Sequence, residues 1–295
     1  MNKIDIQNCP ICGHSSFIEI FECKDNTVTG ELFKLKECAN CNFRITSPRP
    51  EDKDLGKYYK SDQYISHSDS DEGLINKIYK RVRNLNLKIK YNLVKKNTKA
   101  SDINLLDVGS GTGYFVNYCN NNGIHAEGYE PDNDARNKAS ELHNIKLYNS
   151  WGDIHKTYEV ITMWHVLEHV PDLNEEMTRL KNLLTPNGIL IIAVPNRESY
   201  DEKIYKQEWA AYDVPRHLYH FRKQDIISLA KKYKLSFIED KPMWFDAPYV
   251  SMLSEDHKRS SLPKLKGLTI GTISNLSSIF TKQQSSKIYI FENEN

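Results

Sequence analysis

Two pairs of cysteines stand out first for what they could do chemically. Cys9 and Cys12 bracket two residues, and Cys38 and Cys41 bracket two more. Four thiolates at this spacing make a tetrahedral zinc site, closed by protein and therefore structural. Gly13 and Asn42 follow the two hooks and tolerate the left-handed backbone that a turn round a metal needs. A redox role for one Cys-x-x-Cys is the competing reading, and the pairing of two hooks disfavours it. Cys23 and Cys119 complete the six cysteines and read as inert buried thiols.

A second constellation lies at residues 105–113, Leu-Leu-Asp-Val-Gly-Ser-Gly-Thr-Gly. The apolar run Ile103, Leu105, Leu106 and Val108 predicts a buried strand that runs into a loop with glycines at 109, 111 and 113. Such glycines let the backbone turn sharply and approach a ligand beneath a helix N-terminus. That suits a nucleotide-like cofactor. A dinucleotide site wants a small residue where Tyr114 stands, so that helix and strand pack closely under a pyrophosphate. Asp107 would repel a pyrophosphate and would suit a ligand carrying an ammonium and a sulfonium. Glu130, in Gly-Tyr-Glu-Pro-Asp, ends the next predicted strand, where a carboxylate can accept both ribose hydroxyls of an adenosine. The bland alternatives are a turn without a ligand and a solvated loop acid.

The elements that must position these residues follow from periodicity. Residues 1–47 form a small zinc-ribbon-like module, with strand-like stretches around Phe17–Phe21 and Leu32–Leu35. Residues 48–102 read as a helical linker or lid. Leu74, Ile78, Val82, Leu85, Ile89 and Leu93 recur every three or four residues, and the Lys and Arg residues between them read as the solvated face. Tyr58, Tyr59, Tyr64 and His67 are candidate lid rings. From 103 to 295 strands and helices alternate. Strands are expected at 103–108, 124–129, 145–148, 158–164 and 188–194, and helices near 112–122, 132–142 and 172–184. A helix at 224–233 and strands at 235–238 and 287–291 complete the pattern. This predicts an α/β, doubly wound, Rossmann-like sheet of seven strands.

Asp107-x-Gly109-x-Gly111-x-Gly113 resembles the first motif of class I S-adenosylmethionine (SAM) dependent methyltransferases. A late strand pair after five βα units is similar to their sheet, whose last strand is antiparallel. The resemblance assigns cofactor contacts to Asp107, Gly109, Ser110, Gly111, Gly113, Tyr114, Glu130, Pro131, Trp151, Asp153, Trp164 and His165. Trp151 would flank the adenine and Asp153 would accept from its amino group. Met163–Asp172 resembles the family's fourth motif, which covers the methionine part of SAM and faces the acceptor.

On a helical turn His165, Glu168 and His169 would share one face. Some methyltransferases hold a divalent metal here through Glu-x-x-Glu-His; His165 replaces the first Glu, and His217 or His220 would supply a remote ligand. The alternative is a turn whose Glu-His pair orients its neighbours by hydrogen bonds. His169 is the candidate general base, with Glu168 fixing its tautomer.

Residues 209–221 resemble the Asp-x-Pro-Arg-His-x-x-His-Phe stretch of a subgroup of bacterial methyltransferases that often carry an N-terminal zinc-binding segment. Arg216 would clamp a phosphate or carboxylate, and Asp213 or His217 would serve as base or orienter. A structural Arg216–Asp213 ion pair is the alternative. Acceptor-pocket insertions are expected at 197–222 and 243–285. The cysteine hooks are also similar to those of deoxysugar C-methyltransferases. By that analogy the acceptor is a small molecule, such as a sugar, a sugar nucleotide or another precursor in polysaccharide biosynthesis.

The chain has 295 residues, with 40 basic and 39 acidic side chains. This balance speaks against a general nucleic-acid partner and so against a zinc-ribbon RNA methyltransferase. Asp107 and Tyr114 speak against a nicotinamide-dependent oxidoreductase. A scaffold that binds SAM without catalysis would not need the density of His, Arg and Asp at 209–221. No apolar run is long enough to span a bilayer, and the first residues lack the apolar region of a signal peptide. A cytoplasmic location is the expectation, with oligomeric state and O-, C- or N-methylation left open.

Overall fold

The computed structural model of the chain describes residues 3–59 and 74–294. Tyr64 and His67 lie outside the described residues. The N-terminal part contains β1 (Lys3–Ile4), β2 (Phe17–Lys24), β3 (Leu32–Cys38), β4 (Arg44–Thr46), β5 (Arg49–Pro50) and the short α1 (Asp52–Leu55). The long helix α2 (Leu74–Asn97) follows. Next come β6 (Asn104–Val108), α3 (Tyr114–Asn121), β7 (His125–Tyr129), α4 (Asn133–His143), β8 (Tyr158–Trp164), α5 (Leu173–Leu183) and β9 (Leu184–Pro195). The C-terminal elements are α6 (Tyr200–Tyr205), β10 (Tyr219–His220), α7 (Lys223–Lys232), β11 (Leu235–Pro242), α8 (Asp246–His257), α9 (Pro263–Thr281) and β12 (Ser286–Asn293).

The main sheet has six strands in the order β11-β12-β9-β8-β6-β7. Strands β7, β6, β8 and β9 run parallel, whereas β12 is antiparallel to β9 and to β11. The expected strand at 145–148 is reduced to one parallel bridge, Tyr129 to Tyr148, at the outer edge of β7. Leu147 is buried there and Ile145 and Tyr148 are half-buried against the core, whereas Lys146 and Asn149 are exposed. The central strands are apolar on both faces because helices cover both sides. Leu105 packs on one side with Val116 and Ile191, and Leu106 on the other with Met177 and Leu190. Helices α4 and α5 start where sequence chemistry says they should: Asp132 accepts from the Ala135 amide at 2.8 Å, and Asp172 from the Asn174 amide at 2.8 Å.

The second sheet joins distant parts of the chain. Its order is β10-β4-β3-β2, so the cysteine-bearing hairpin pairs with residues 219–220 of the His-rich stretch. The Thr46 amide donates to the Leu218 carbonyl at 3.0 Å. Phe43 stacks on Tyr219 at 6.0 Å and packs against Phe221 at 5.5 Å. Cys38, Phe43 and Ile45 belong to the same contiguous apolar core as Leu173, Leu218 and Phe221.

Helices α8 and α9 form a hairpin between β11 and β12. They pack closely because a Cβ at Gly267 would meet the Met252 backbone at 2.4 Å, and one at Gly271 the Pro248 backbone at 2.4 Å.

Candidate functional site

The glycine loop sits at the C-terminal end of β6. Gly109, Gly111 and Gly113 all have positive φ, at 70°, 54° and 76°. A Cβ on Gly109 would meet Val166 Cγ2 at 2.4 Å, whereas the Cβ direction of Gly111 is open. The loop is therefore pressed against residue 166 on one side and has free space on the other. Ser110 Oγ donates to the Asp107 carbonyl at 2.7 Å and closes the turn. Glu130 reaches into the same loop. Its carboxylate accepts from the Gly111 amide at 2.8 Å and from the Asp132 amide at 3.0 Å. Burial raises its pKa, against the pull of those two amides. Pro131 follows directly and is exposed.

Asp107 is buried at the end of β6, and Thr162 Oγ1 donates to it at 2.6 Å. Burial pushes its pKa up to about 7, against the pull of Thr162 and of the Lys90 ammonium. A carboxylate held in this state needs a cation to ionise fully. Lys90 is a site residue that periodicity alone assigned to the solvated face of α2. Its Nζ instead lies 4.4 Å from the centre of the Trp164 ring, and burial lowers its pKa. Trp164 also meets Phe115 edge-on, and its indole nitrogen is buried with no hydrogen-bond partner among the described residues. The part-ionised Asp107, the Glu130 carboxylate, the open side of Gly111 and this orphan donor suit SAM, which brings an ammonium, a sulfonium, ribose hydroxyls and a carboxylate.

Other expected cofactor contacts are placed as follows. The Tyr114 ring sits edge-on to His143 at 4.5 Å and beneath the Arg83 guanidinium. Trp151 stacks on Tyr129 at 4.1 Å with 24° between the planes, and Arg179 lies over it at 4.7 Å. Trp151 is thus part of a packed aromatic wall beyond β7. Asp153 is exposed on the turn after it.

The roof segment departs from expectation. Residues 165–169 form turns, not a helix, and His165 has φ of 59°. His165 and His169 therefore do not share a face. His165 Nδ1 is 3.2 Å from Glu168 Oε1, and its Nε2 is 3.1 Å from Asp246 Oδ2 on α8. Burial alone would lower its pKa, but the hydrogen bonds to Asp246 and Glu168 outweigh it and raise it to about 10. Glu168 is thus engaged by His165 and does not set the tautomer of His169. That role falls to the Arg216 carbonyl, 3.1 Å from His169 Nδ1, with the Tyr59 hydroxyl at 3.0 Å. A carbonyl only accepts, so Nδ1 carries the proton and Nε2 keeps its lone pair.

His217 repeats this arrangement. Its Nδ1 donates to the Ala211 carbonyl at 2.8 Å, which leaves Nε2 as an acceptor. The rings of His169 and His217 stand edge-to-face at 4.5 Å. One donor atom each from Glu168, His169 and His217 lie within 4.8 Å of one another, and Glu168 Oε2 is buried without a partner among the described residues. Burial, with the neighbouring His217, pushes the His169 pKa down to about 4, so its ring is neutral at pH 7. His220 does not join the cluster. Thr46 Oγ1 donates to the His217 carbonyl at 2.8 Å, so the His220 Nε2 beside it, at 3.0 Å, is the donor of that pair.

Arg216 follows the alternative reading, a structural ion pair with Asp213, and not the clamp. It is 1% exposed, and its guanidinium donates to both oxygens of Asp213, at 2.9 and 2.5 Å, to the Tyr58 carbonyl at 2.8 Å and to Asp25 at 3.1 Å. A guanidinium engaged on every side cannot clamp an acceptor. Asp213 is held in the same network, which keeps its carboxyl below the ordinary range against the effect of burial. The further partners of Arg216 come from residues 25 and 58, which spacing within 209–221 could not reveal.

The four cysteines of the two hooks meet. Their sulfurs all lie within 4.8 Å of one another, with Cys9–Cys41 and Cys12–Cys38 each at 3.5 Å. A zinc–sulfur bond of about 2.3 Å implies a sulfur–sulfur edge of about 3.8 Å, so the set fits a tetrahedral ion. The Gly13 amide donates to the Cys9 carbonyl and the Asn42 amide to the Cys38 carbonyl, both at 2.8 Å, with φ of 77° and 59° at the turning residues.

Comparison with known proteins agrees with the fold. A family profile described as a methyltransferase domain matches residues 79–239, more than half of the chain. The chain belongs to this family, and its fold is that of the class I SAM-dependent methyltransferases. A ubiquinone biosynthesis O-methyltransferase of Rickettsia bellii is 28% identical over 133 residues, 42% of this chain and 55% of the relative. The chain thus spans about half the length of the curated relatives it matches. Magnesium protoporphyrin IX methyltransferase from Synechocystis PCC 6803, solved with bound SAH, gives a TM-score of 0.54 at 11% identity, covering 82% of this chain and 100% of that one. Its structure with bound SAM gives 0.51 at 12% identity, covering 84% and 100%. At such identity the likeness shows the fold.

Proposed function

We propose that the protein is a SAM-dependent methyltransferase whose acceptor is a small molecule, and that His169 removes the acceptor proton. The observation that carries this reading is the state of His169: a neutral ring, its Nδ1 proton committed to the Arg216 carbonyl, in the turn segment whose Val166 presses on Gly109 of the glycine loop. When bound, SAM supplies a methyl group on a sulfonium whose sulfur is the leaving group. Asp107 and Glu130 would bind it through its cationic and ribose ends. Glu168 and Asp246 hold His165 over the end of β8, and Tyr59 and the Arg216 carbonyl orient His169. His217 stands behind as a second acceptor of the same tautomer. The proton leaving the acceptor would pass to His169 Nε2, and the burial of the site would keep water from competing.

A sugar, a sugar nucleotide or another cell-surface saccharide precursor is the acceptor class favoured by the four-cysteine segment together with the Asp213–Phe221 stretch. The cysteines would hold one structural zinc ion, which fixes the hairpin that pairs with β10. Calorimetry with SAM and S-adenosylhomocysteine tests the cofactor. Binding of NADH without either would overturn the reading in favour of the oxidoreductase alternative. A panel of sugar nucleotides assayed for methyl incorporation tests the acceptor class.

A second reading rests on the unpartnered Glu168 Oε2. Glu168, His169 and His217 offer a divalent cation one carboxylate and two imidazoles. Metal analysis separates the two: more than one equivalent per chain, falling to one in His217→Asn, favours a cation over a free base.

A further inference from the structure

Helix α9 is turned inside out relative to an ordinary surface helix. The residues it buries are small, Gly267, Gly271, Ser274 and Ser278, and they face α8 and the core. Its large apolar side chains point the other way. Leu262 at its N-cap, then Leu265, Leu268, Leu276, Ile279 and Phe280, are all exposed, with Phe280 at 87%. By helical periodicity they form one stripe opposite the buried face, over roughly 27 Å at 1.5 Å per residue. Soluble proteins rarely leave a stripe of this size uncovered, because its burial is favourable wherever a partner exists. The hairpin does not get this shape by being loose: Asp201, fully buried, accepts from Ser274 Oγ at 2.7 Å, Ser285 Oγ at 2.6 Å and Trp209 Nε1 at 2.7 Å.

Three features identify what covers the stripe. The first is charge. Lys258, Arg259, Lys264, Lys266 and Lys282 flank it, and no Asp or Glu occurs between Asp256 and Glu292. A chain that is balanced overall is therefore purely cationic here, which complements an anionic surface. Second, the polar groups on the outer face are self-satisfied. Thr269 and Thr272 hydroxyls donate back to the Leu265 and Leu268 carbonyls at 2.9 and 2.7 Å, so little is lost when water leaves. Third, Trp244 and Phe245, exposed at the entry to α8, lie beside α9, where Asn275 Nδ2 donates to the Trp244 carbonyl at 2.8 Å. Rings and cations around an apolar stripe are the makeup of a helix that lies in a membrane interface. No helix among the described residues is long and apolar enough to cross a membrane.

We infer that the outer face of the α8–α9 hairpin docks the protein onto an anionic lipid surface, with α9 lying in the interface. Asp246, at the start of the same hairpin, bonds His165 in the roof of the candidate site, so the docked face and the site are joined by one helix. The inference does not depend on the methyl-transfer reading.

Sedimentation of the full chain with vesicles tests it. Vesicles of phosphatidylcholine with roughly one-third phosphatidylglycerol should pellet the protein, pure phosphatidylcholine should pellet little, and added salt should weaken the binding. The double variant Leu276→Ser/Phe280→Ser should lose at least about tenfold in vesicle affinity. So should the separate variant Lys264→Glu/Lys266→Glu, and both should keep the thermal midpoint and SAM affinity of the parent. Protein that stays in the supernatant with the anionic vesicles at low salt overturns the inference. So do variants that bind vesicles like the parent. A parent dimer that Leu276→Ser/Phe280→Ser splits, without vesicle binding, would assign the stripe to a second copy of the chain instead.

Discussion

Arg216 and Asp25 meet at 3.1 Å across 191 residues of chain, and neither side chain is more than 1% exposed. Asp25 also accepts from the amides of Thr27, Val28 and Thr29, so one carboxylate organises the β2–β3 turn and anchors the His-rich stretch to it. Arg216 thus ties the β2–β3 turn to the loop that leads into β10 of the same sheet.

Replacing Arg216 by Ala leaves Asp25 and Asp213 without their cation in a dry environment. Removing one partner of such a pair costs about 3–5 kcal/mol. Urea denaturation should show a loss of that order. SAM affinity of the remaining folded protein should stay within about threefold of the parent, since Arg216 does not face the glycine loop. Unchanged stability with a raised acceptor KM would restore Arg216 as a clamp.

His169→Asn should slow turnover by about 10²–10⁴-fold while SAM affinity holds. Asn can still donate to the Arg216 carbonyl, so the local hydrogen bond survives and the lost proton acceptor is isolated. An unchanged kcat at saturating acceptor would remove His169 as base.

The raised pKa of Asp107 makes cofactor binding depend on pH. Below about 7 the carboxyl is protonated in the ligand-free protein, and a cationic ligand must first displace that proton. Affinity for SAM should therefore rise with pH up to about 7 and level off above it, with a limiting slope of about tenfold per pH unit. Asp107→Asn should bind more weakly and flatten that slope. A parent protein whose SAM affinity is flat from pH 5 to 8 contradicts the assignment, those limits being about two units below and one above the titration.

Zinc analysis of purified protein should give one ion per chain. Cys38→Ser should lower stability by several kcal/mol and abolish turnover, because metal binding is folding free energy for such a module. Turnover that survives in a metal-free Cys38→Ser protein would separate the cysteine module from the site.

Much of this was legible in the residues. The glycine loop, the alternation of strands and helices, and the two cysteine hooks are local patterns, and local patterns survive folding. Features set by long-range pairing were hidden. Strand β10 is two residues long and carries no periodicity of its own; it exists because β4 offers an edge. His165 and His169 have the spacing of one helical face, but the positive φ of His165 turns the chain before a helix can form. Lys90 falls among other cations on α2, and only the position of Trp164 shows that it points inward. Residues 243–285 read in sequence as an acceptor-pocket insertion; they fold as a helical hairpin in which the glycines and serines of α9 take the inner face.

The pairing of β4 with β10 has a consequence for how this protein can vary. The four-cysteine module lends a sheet edge to the stretch that carries His217. It cannot be deleted or exchanged like a bead on a string, because the cut would strip a neighbouring fold of its hydrogen bonds. Ancestry should therefore have carried the two halves together, and a natural homologue that lost the four cysteines should also have rebuilt the segment from Trp209 to Phe221.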